Sequence, residues 1–330
     1  METFITHTLS LLKPGLFASK LLCFVLALAL GGCSDKASEE KQTPLVVVTT
    51  THLSDLVHTL AGESVEILSL MGPGVDPHLY KPTSRDLSSL SKADLIVFHG
   101  MMLEGRMSQA LEQTKSKGIL SIAATSEIPD SLILSDGNEE GDAHIDPHVW
   151  FSPQIWSLCV QTLMKDLIMV APEAESKIRE NAKELLKKIE VVKNWSIDQV
   201  AQIPKEHRKL VTSHDAFRYF GKELGFEVIG LQGMSTTIEA GLADRANLVD
   251  FIKSQNIPAI FVESSVNPAA MREIAKESDV IIGGELFADA LGPAGETVVG
   301  PDGQIFGLDS WGGMMVHNVA TIVEALSKTE

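Results

Sequence analysis

The sequence predicts an α/β protein of two lobes, each a parallel sheet flanked by helices, joined by one long rigid helix. Short β-branched runs alternate with longer segments of helical period in the first half of the chain, and the same alternation resumes in the second half. This order is typical of parallel sheets covered by helices. A third observation is the helical stretch between the two halves, which has Pro172 at its start and Pro204 at its end.

The first half is expected to contain four strands and three helices. Its strand segments are consecutive apolar residues, as in strands buried on both faces, and they lie at 45–50, 65–70, 94–98 and 118–122. Helical spacing of apolar residues places the helices between them, at about 53–62, 84–92 and 103–116.

The second half repeats this arrangement. Its strands are expected at 209–213, 226–230, 259–262 and 279–283. Its helices are expected near 216–224, 243–255 and 268–277.

The stretch between the halves is expected to be one helix, because apolar residues recur three and four positions apart from Ile178 to Trp195. About 30 helical residues would extend roughly 45 Å, enough to run the height of a domain. A helical connection resists hinge bending, so small closure motions are expected. The predicted boundaries are 44–170 for the N-terminal lobe, 171–204 for the linker helix and 205–330 for the C-terminal lobe.

The first 43 residues have the pattern of an export signal and a tether. Lys13 and Lys20 precede an apolar run at 21–30, which is too short to span a bilayer but suits a signal-peptide core. The run leads into Leu-Gly-Gly-Cys33, which resembles a bacterial lipobox and makes Cys33 the candidate lipidation site. Residues 1–32 would then be a lipoprotein signal peptide and 33–43 a flexible tether. An ordinary signal peptide with an incidental cysteine is the alternative.

The composition excludes nucleic acid as an expected partner. The chain has 330 residues with 27 Lys and Arg against 44 Asp and Glu, a formal charge of −17. A phosphate-binding surface needs an excess of basic residues. Besides Cys33, the chain without its signal would keep only Cys159, so no internal disulfide is expected.

Four residues from distant segments are candidate metal ligands. The tripeptide Asp-Pro-His occurs twice, ending at His78 and at His148, and both copies lie in predicted loops. His214 directly follows one predicted strand, and Asp289 lies shortly beyond another. Ligands bind beyond the carboxyl ends of strands in open α/β sheets, so facing lobes would bring the four residues together in a cleft. Three imidazoles and a carboxylate suit a divalent transition metal.

Simpler roles for these residues stay open. A histidine in a loop is often a surface or capping residue, and the spacing between the four candidates matches no short zinc motif. Asp76, Asp146 and Glu263 are candidate acceptors for the second N–H of the ligand imidazoles, although loop hydrogen bonding would suit them equally. The remaining histidines with no supporting pattern are interpreted as structural or solvated: His52, His58, His99, His207 and His317.

Five segments resemble, in order, the zinc/manganese solute-binding lipoproteins of bacterial ABC importers, the cluster A-I metal-binding proteins. They are 71–80 (MGPGVDPHLY), 146–150 (DPHVW), 212–220 (TSHDAFRYF), 261–265 (FVESS) and 285–292 (ELFADALG). The resemblance implies two lobes joined by a rigid helix, metal held by His78, His148, His214 and Asp289, and partnership with an ABC permease and its ATPase subunits. It also implies a place outside the cytoplasm, either in the periplasm or at the outer face of the cytoplasmic membrane.

Two departures leave the metal open between Zn²⁺ and Mn²⁺. Zinc-dedicated relatives often have a long His-rich loop before the second ligand, whereas the acidic segment 135–145 contains only His144. Manganese-dedicated relatives often have a carboxylate at the position of His214. A zinc-dependent hydrolase and a surface adhesin are the rival functions. The expected function is metal capture for import, without enzymatic activity.

Overall fold

The first lobe is a parallel four-stranded sheet with helices on its faces. A computed structural model describes residues 43–135 and 144–327. The strands are β1 (Leu45–Val48), β2 (Glu66–Ser69), β3 (Leu95–Phe98) and β4 (Leu120–Ala123), in the order β2-β1-β3-β4. The connecting helices are α1 (Thr51–Ala61), α2 (Ser84–Leu90) and α3 (Ser108–Ser116).

The run of valines in β1 is explained by burial on both faces. Val46 and Val48 contribute to the main core, whereas Val47 faces a smaller apolar cluster on the other side of the sheet. Val46 pairs with Ile67 of β2 and with Leu95 of β3. Such a central strand is expected to be apolar throughout rather than alternating.

One long helix connects the lobes, and a second long helix precedes it. Ser152 caps helix α4 (Pro153–Val170), because its side chain accepts the N–H of Ile155. A short 3₁₀ turn then leads into α5 (Glu175–Val200). With 26 residues, α5 extends about 39 Å. It is shorter than the predicted stretch because its first turn is 3₁₀ and it ends before Pro204. Helix α4 was not predicted from the sequence, because it packs against both α1 and α5 and its apolar residues therefore lie on several faces.

The second lobe repeats the α/β pattern. Strand β5 (Lys209–His214) pairs in parallel with β6 (Glu227–Gln232), β7 (Ala259–Glu263) pairs in parallel with β8 (Ile281–Leu286), and β5 lies beside β7. Its helices are α6 (Arg218–Leu224), α7 (Leu242–Ser254) and α8 (Ala269–Ser278). A small antiparallel pair, β9 (Thr297–Val299) and β10 (Ile305–Gly307), precedes the C-terminal helix α9 (Trp311–Leu326), which the sequence analysis did not predict.

One continuous apolar core lies behind the cleft. It includes Trp150 and Phe151 from the first lobe together with Phe217 and Phe220 from the second. Phe151 and Phe217 stack with their ring centroids 4.5 Å apart. The indole N–H of Trp311 donates to the carbonyl of Trp150 at 2.8 Å. The back of the cleft is therefore packed like a domain interior.

Three expectations concern residues outside the described ranges: the signal peptide at 1–32, the tether up to residue 42 with Cys33, and most of the acidic segment at 136–143. Within the described ranges, no helix has the length and apolar character needed to cross a bilayer. The boundaries at 44–170, 171–204 and 205–330 stay predictions.

Candidate metal centre

The four candidate ligands lie together at the cleft between the lobes. One ligand atom from each of His78, His148, His214 and Asp289 lies within 4.8 Å of the others, and all four residues are buried. The Nε2 atom of His148 is 3.4 Å from that of His78 and 3.3 Å from that of His214. Asp289 places Oδ1 3.4 Å from His148 Nε2 and Oδ2 3.4 Å from His214 Nε2.

Each ligand stands near the carboxyl end of a strand or in a loop beyond it. His78 is in the loop between β2 and α2, and His148 precedes a short 3₁₀ turn that leads into α4. His214 is the last residue of β5, and Asp289 lies three residues after β8. The site is therefore at the edge where parallel α/β sheets commonly bind ligands.

The two Asp-Pro-His copies fold into the same local turn. Asp76 Oδ1 accepts the backbone N–H of His78 at 2.8 Å, and Asp146 Oδ1 accepts that of His148 at 3.0 Å. An aspartate that binds the backbone two residues later forms an Asx turn, and the intervening proline fixes φ. Each histidine is thus presented from a backbone with little freedom.

Buried carboxylates orient two of the three imidazoles. Asp146 Oδ1 lies 2.8 Å from His148 Nδ1, and Glu263 Oε2 lies 2.6 Å from His214 Nδ1. Glu263 also accepts the backbone N–H of His214 through Oε1 at 2.9 Å. With a carboxylate at Nδ1, the nitrogen that lacks a proton in the neutral ring is Nε2, which faces the centre and can bind a metal ion.

Asp76 makes a different set of contacts. Besides the N–H of His78, it accepts the N–H of Leu79 at 3.3 Å and the hydroxyl of Thr236 at 2.5 Å. Within the described part of the chain, no hydrogen bond joins Asp76 to the His78 ring.

The metal-free centre favours protons on two of its histidines. Burial alone would lower the pKa of His148, but the carboxylates of Asp146 and Asp289 outweigh it and raise that pKa to about 9. Burial likewise opposes the charges of Glu263 and Asp289 on His214, whose pKa is raised well above its usual value.

Asp289 stays ionised. Burial alone would raise its pKa, but His214 and His148 hold it well below the usual range. The centre is therefore built to neutralise buried negative charge with a cation.

The spacing of the ligand atoms fits a small divalent ion. Neighbouring ligand atoms about 2.05 Å from a zinc-sized ion lie about 3.3 Å apart, close to the separations of 3.3 to 3.4 Å. Asp289 contributes a different oxygen to each of its two separations. Neither carboxylate oxygen of Asp289 has a hydrogen-bond partner among the described residues, although both are buried. A cation at the centre would satisfy them.

An aromatic wall beside the centre was not predicted from the sequence. Trp150 stacks on His52 with a centroid separation of 4.5 Å, and its edge contacts with His99 and His148 have centroid separations of 4.9 and 5.4 Å. His99 also donates through Nε2 to the carbonyl oxygen of Pro147, 2.6 Å away. Trp150 follows His148 by two positions, which was the only local signal for this wall.

A sequence profile described as zinc-uptake complex component A, periplasmic, matches residues 46–325. The match covers both lobes and every candidate ligand. The chain belongs to this family.

Two curated relatives and one solved structure are similar to this chain. The manganese-binding lipoprotein MntA of Bacillus subtilis is 38% identical over 322 residues, 96% of this chain and 100% of the relative. The manganese ABC transporter substrate-binding lipoprotein PsaA of Streptococcus mitis is 30% identical, covering 95% of this chain and 98% of the relative. The solved periplasmic zinc-binding protein TroA of Treponema pallidum superposes with a TM-score of 0.80 at 36% identity, covering 87% of this chain and 100% of TroA.

Proposed function

We propose that this chain is the extracytoplasmic substrate-binding lipoprotein of an ABC importer, capturing a divalent transition metal, Zn²⁺ or Mn²⁺, and delivering it to a membrane permease. The observation that carries the proposal is the buried set of three imidazoles and one carboxylate whose ligand atoms lie within 4.8 Å of one another. His78, His148, His214 and Asp289 are the proposed ligands.

The donor set favours zinc on affinity. Imidazole suits Zn²⁺, and the Irving–Williams order places Zn²⁺ above Mn²⁺ for a given nitrogen and oxygen site. The relatives divide between the two metals, since MntA and PsaA are named for manganese and TroA for zinc. Zn²⁺ is therefore expected to bind more tightly in solution, and the ion imported in the cell also depends on its availability.

The proposed setting is the cell envelope. Lipid on Cys33 would tether the folded body to a membrane, either in the periplasm or at the outer face of the cytoplasmic membrane. MntA and PsaA are both named as lipoproteins, and PsaA as a component of an ABC transporter. The partners proposed from these names are a permease and its ATPase subunits.

A hydrolase function is the weaker candidate. A zinc hydrolase keeps a coordination position open for the water that it activates. Here three imidazoles and both oxygens of Asp289 would surround the ion, which leaves no obvious open position. An adhesin would not need a buried metal centre.

Calorimetric titration of residues 44–330 with Zn²⁺ and with Mn²⁺ tests the proposal. One saturable site per chain is expected, together with a rise in melting temperature, because a ligand that binds only the folded state stabilises it. His78→Ala should abolish tight binding. His58→Ala is the matched control, since His58 lies on the exposed side of α1. No saturable site for either ion in the unaltered protein would refute the proposal.

A further inference from the structure

The two Asp-Pro-His copies use their carboxylates for different second tasks. In both, the aspartate accepts the backbone N–H of the histidine. Asp146 then contacts the ring of its own histidine, whereas Asp76 accepts a hydrogen bond from Thr236, which is 160 positions away. The aspartate of the turn thus orients the histidine ring in the second copy, whereas in the first copy it contacts a residue across the cleft.

Thr236 belongs to the second lobe and is placed specifically for this contact. It follows β6 in a segment whose neighbours Thr237 and Ile238 are exposed, yet Thr236 itself is only 7% exposed. Its hydroxyl lies 2.5 Å from Asp76 Oδ2. A hydrogen bond from a partly buried hydroxyl to a carboxylate is charge-assisted, and it is stronger than a hydrogen bond between neutral groups.

The loop that Thr236 engages carries the ligand nearest to solvent. His78 is 4% exposed, whereas His148 and His214 are fully buried. The adjacent Leu79 is 41% exposed, so water reaches the outer side of this loop. Among hydrogen bonds of the described residues, the one to Thr236 is the only one that ties residues 70–83 to the second lobe.

Other hydrogen bonds between the lobes lie outside this loop. The Tyr219 hydroxyl accepts the N–H of Leu134, Arg218 donates to the carbonyl of Ser135, and Trp311 donates to Trp150. These contacts involve segments other than the His78 loop. Loss of the Thr236 bond would therefore free that loop without separating the lobes.

We infer that the Thr236–Asp76 hydrogen bond is a latch that holds the His78 loop closed over the bound metal ion and slows its escape. Thr236 is a positioning residue, because it acts on the ion through Asp76 and His78. The latch rests on the proposed metal-binding function. Its signature is kinetic: it slows dissociation and leaves the donor set unchanged.

The test measures the rate at which metal leaves the protein. Zn²⁺-loaded protein is mixed with excess chelator in a stopped-flow instrument, and the association rate is measured separately. Thr236→Val, which keeps the shape and removes the hydroxyl, should raise the dissociation rate about tenfold, equivalent to ~1.4 kcal/mol. The association rate should change less than about twofold, since encounter with the open site does not need the latch.

Three variants separate the latch from a general structural effect. Thr236→Ser keeps the hydroxyl and should dissociate at close to the original rate. Thr237→Val, the same substitution at the exposed neighbouring position, should have no effect. In an Asp76→Ala background, Thr236→Val should add nothing, because the two residues act through one bond.

Several results would overturn the latch. They are an unchanged dissociation rate in Thr236→Val, a Thr236→Ser variant as fast as Thr236→Val, or a metal-free melting temperature lowered as much as the metal-bound one. If the unaltered protein binds no metal, the proposed function fails, and the latch fails with it. If the unaltered protein binds metal and Thr236→Val releases it at the original rate, only the latch fails.

Discussion

Replacing Glu263 by glutamine should weaken metal binding through the choice of tautomer at His214. Glu263 is buried, with Oε1 accepting the N–H of His214 at 2.9 Å and Oε2 lying 2.6 Å from Nδ1 of the ring. A glutamine must keep its oxygen facing the backbone N–H, because an NH₂ group there would oppose another donor. Its NH₂ then faces Nδ1 and requires a lone pair on that atom. The proton of the neutral ring moves to Nε2, which is the atom that should bind the ion.

The expected loss is between 10- and 100-fold in affinity, or about 1.4 to 2.8 kcal/mol, the usual effect of removing a partner of a metal-bound histidine. Asp146→Asn should lose less, because a single oxygen, Oδ1, accepts both the backbone N–H and Nδ1 of His148. An asparagine can supply that oxygen with its amide carbonyl and leave the tautomer unchanged.

Chelator-competition titration at pH 7.5 gives the affinities, and ¹⁵N chemical shifts of the imidazoles give the tautomer. Glu285→Gln is the matched control, since it makes the same substitution at an exposed position of β8. Binding by Glu263→Gln within twofold of the original, or a larger loss in Asp146→Asn than in Glu263→Gln, would refute the tautomer argument.

Four further predictions concern the shared site, the pH dependence of metal affinity, the pH dependence of the metal-free melting temperature, and the anchor. If His78 and His214 hold one ion, the double alanine variant should lose much less binding free energy than the sum of the single losses, and simple additivity in calorimetry would count against a shared site. The pKa of His148 is raised to about 9 and that of His214 is also raised, so a metal ion must compete with protons for these rings. Metal affinity should therefore rise from pH 6 towards 9, and binding should release protons. Calorimetry in buffers of different ionisation enthalpy measures this proton release. The same raised values stabilise the metal-free fold fully below pH ~6.5 and less as pH rises through the folded pKa values, so its melting temperature should fall over that window. Cys33→Ala should release the protein from membranes without changing metal affinity, and a variant that still sediments with membranes would contradict the lipid anchor.

The strand pattern was readable from the sequence because most strands contain a short apolar run, even where the strand is only partly buried, as in β2 and β6. The eight predicted strands correspond to β1 through β8, with ends that differ by a few residues. Helices α4 and α9 were missed, since both are buried on several faces and neither shows a clean amphipathic stripe. The pair of β9 and β10 has three residues in each strand, too few for a periodic signal.

The positions of the four candidate ligands could be predicted from the sequence, but the hydrogen bonds and ring contacts around them could not. His214 and Asp289 stood out because they follow strands, and His78 and His148 because one motif is repeated. The contact between Asp76 and Thr236 has no local trace, since it joins loops 160 positions apart. The burial of His52 and His99 against Trp150 depends equally on tertiary packing.

The packed core behind the cleft determines how much of the free energy of metal binding goes into rearranging the protein. Phe151, Phe217 and Trp311 hold the lobes together through apolar contacts and a buried hydrogen bond. Because the lobes are already joined there, little of the metal's binding energy needs to go into reorganising the protein, and most of it remains as affinity. An ion bound with this affinity should dissociate slowly. In the proposed function, a permease that binds the emptied form better than the loaded one would favour release of the ion.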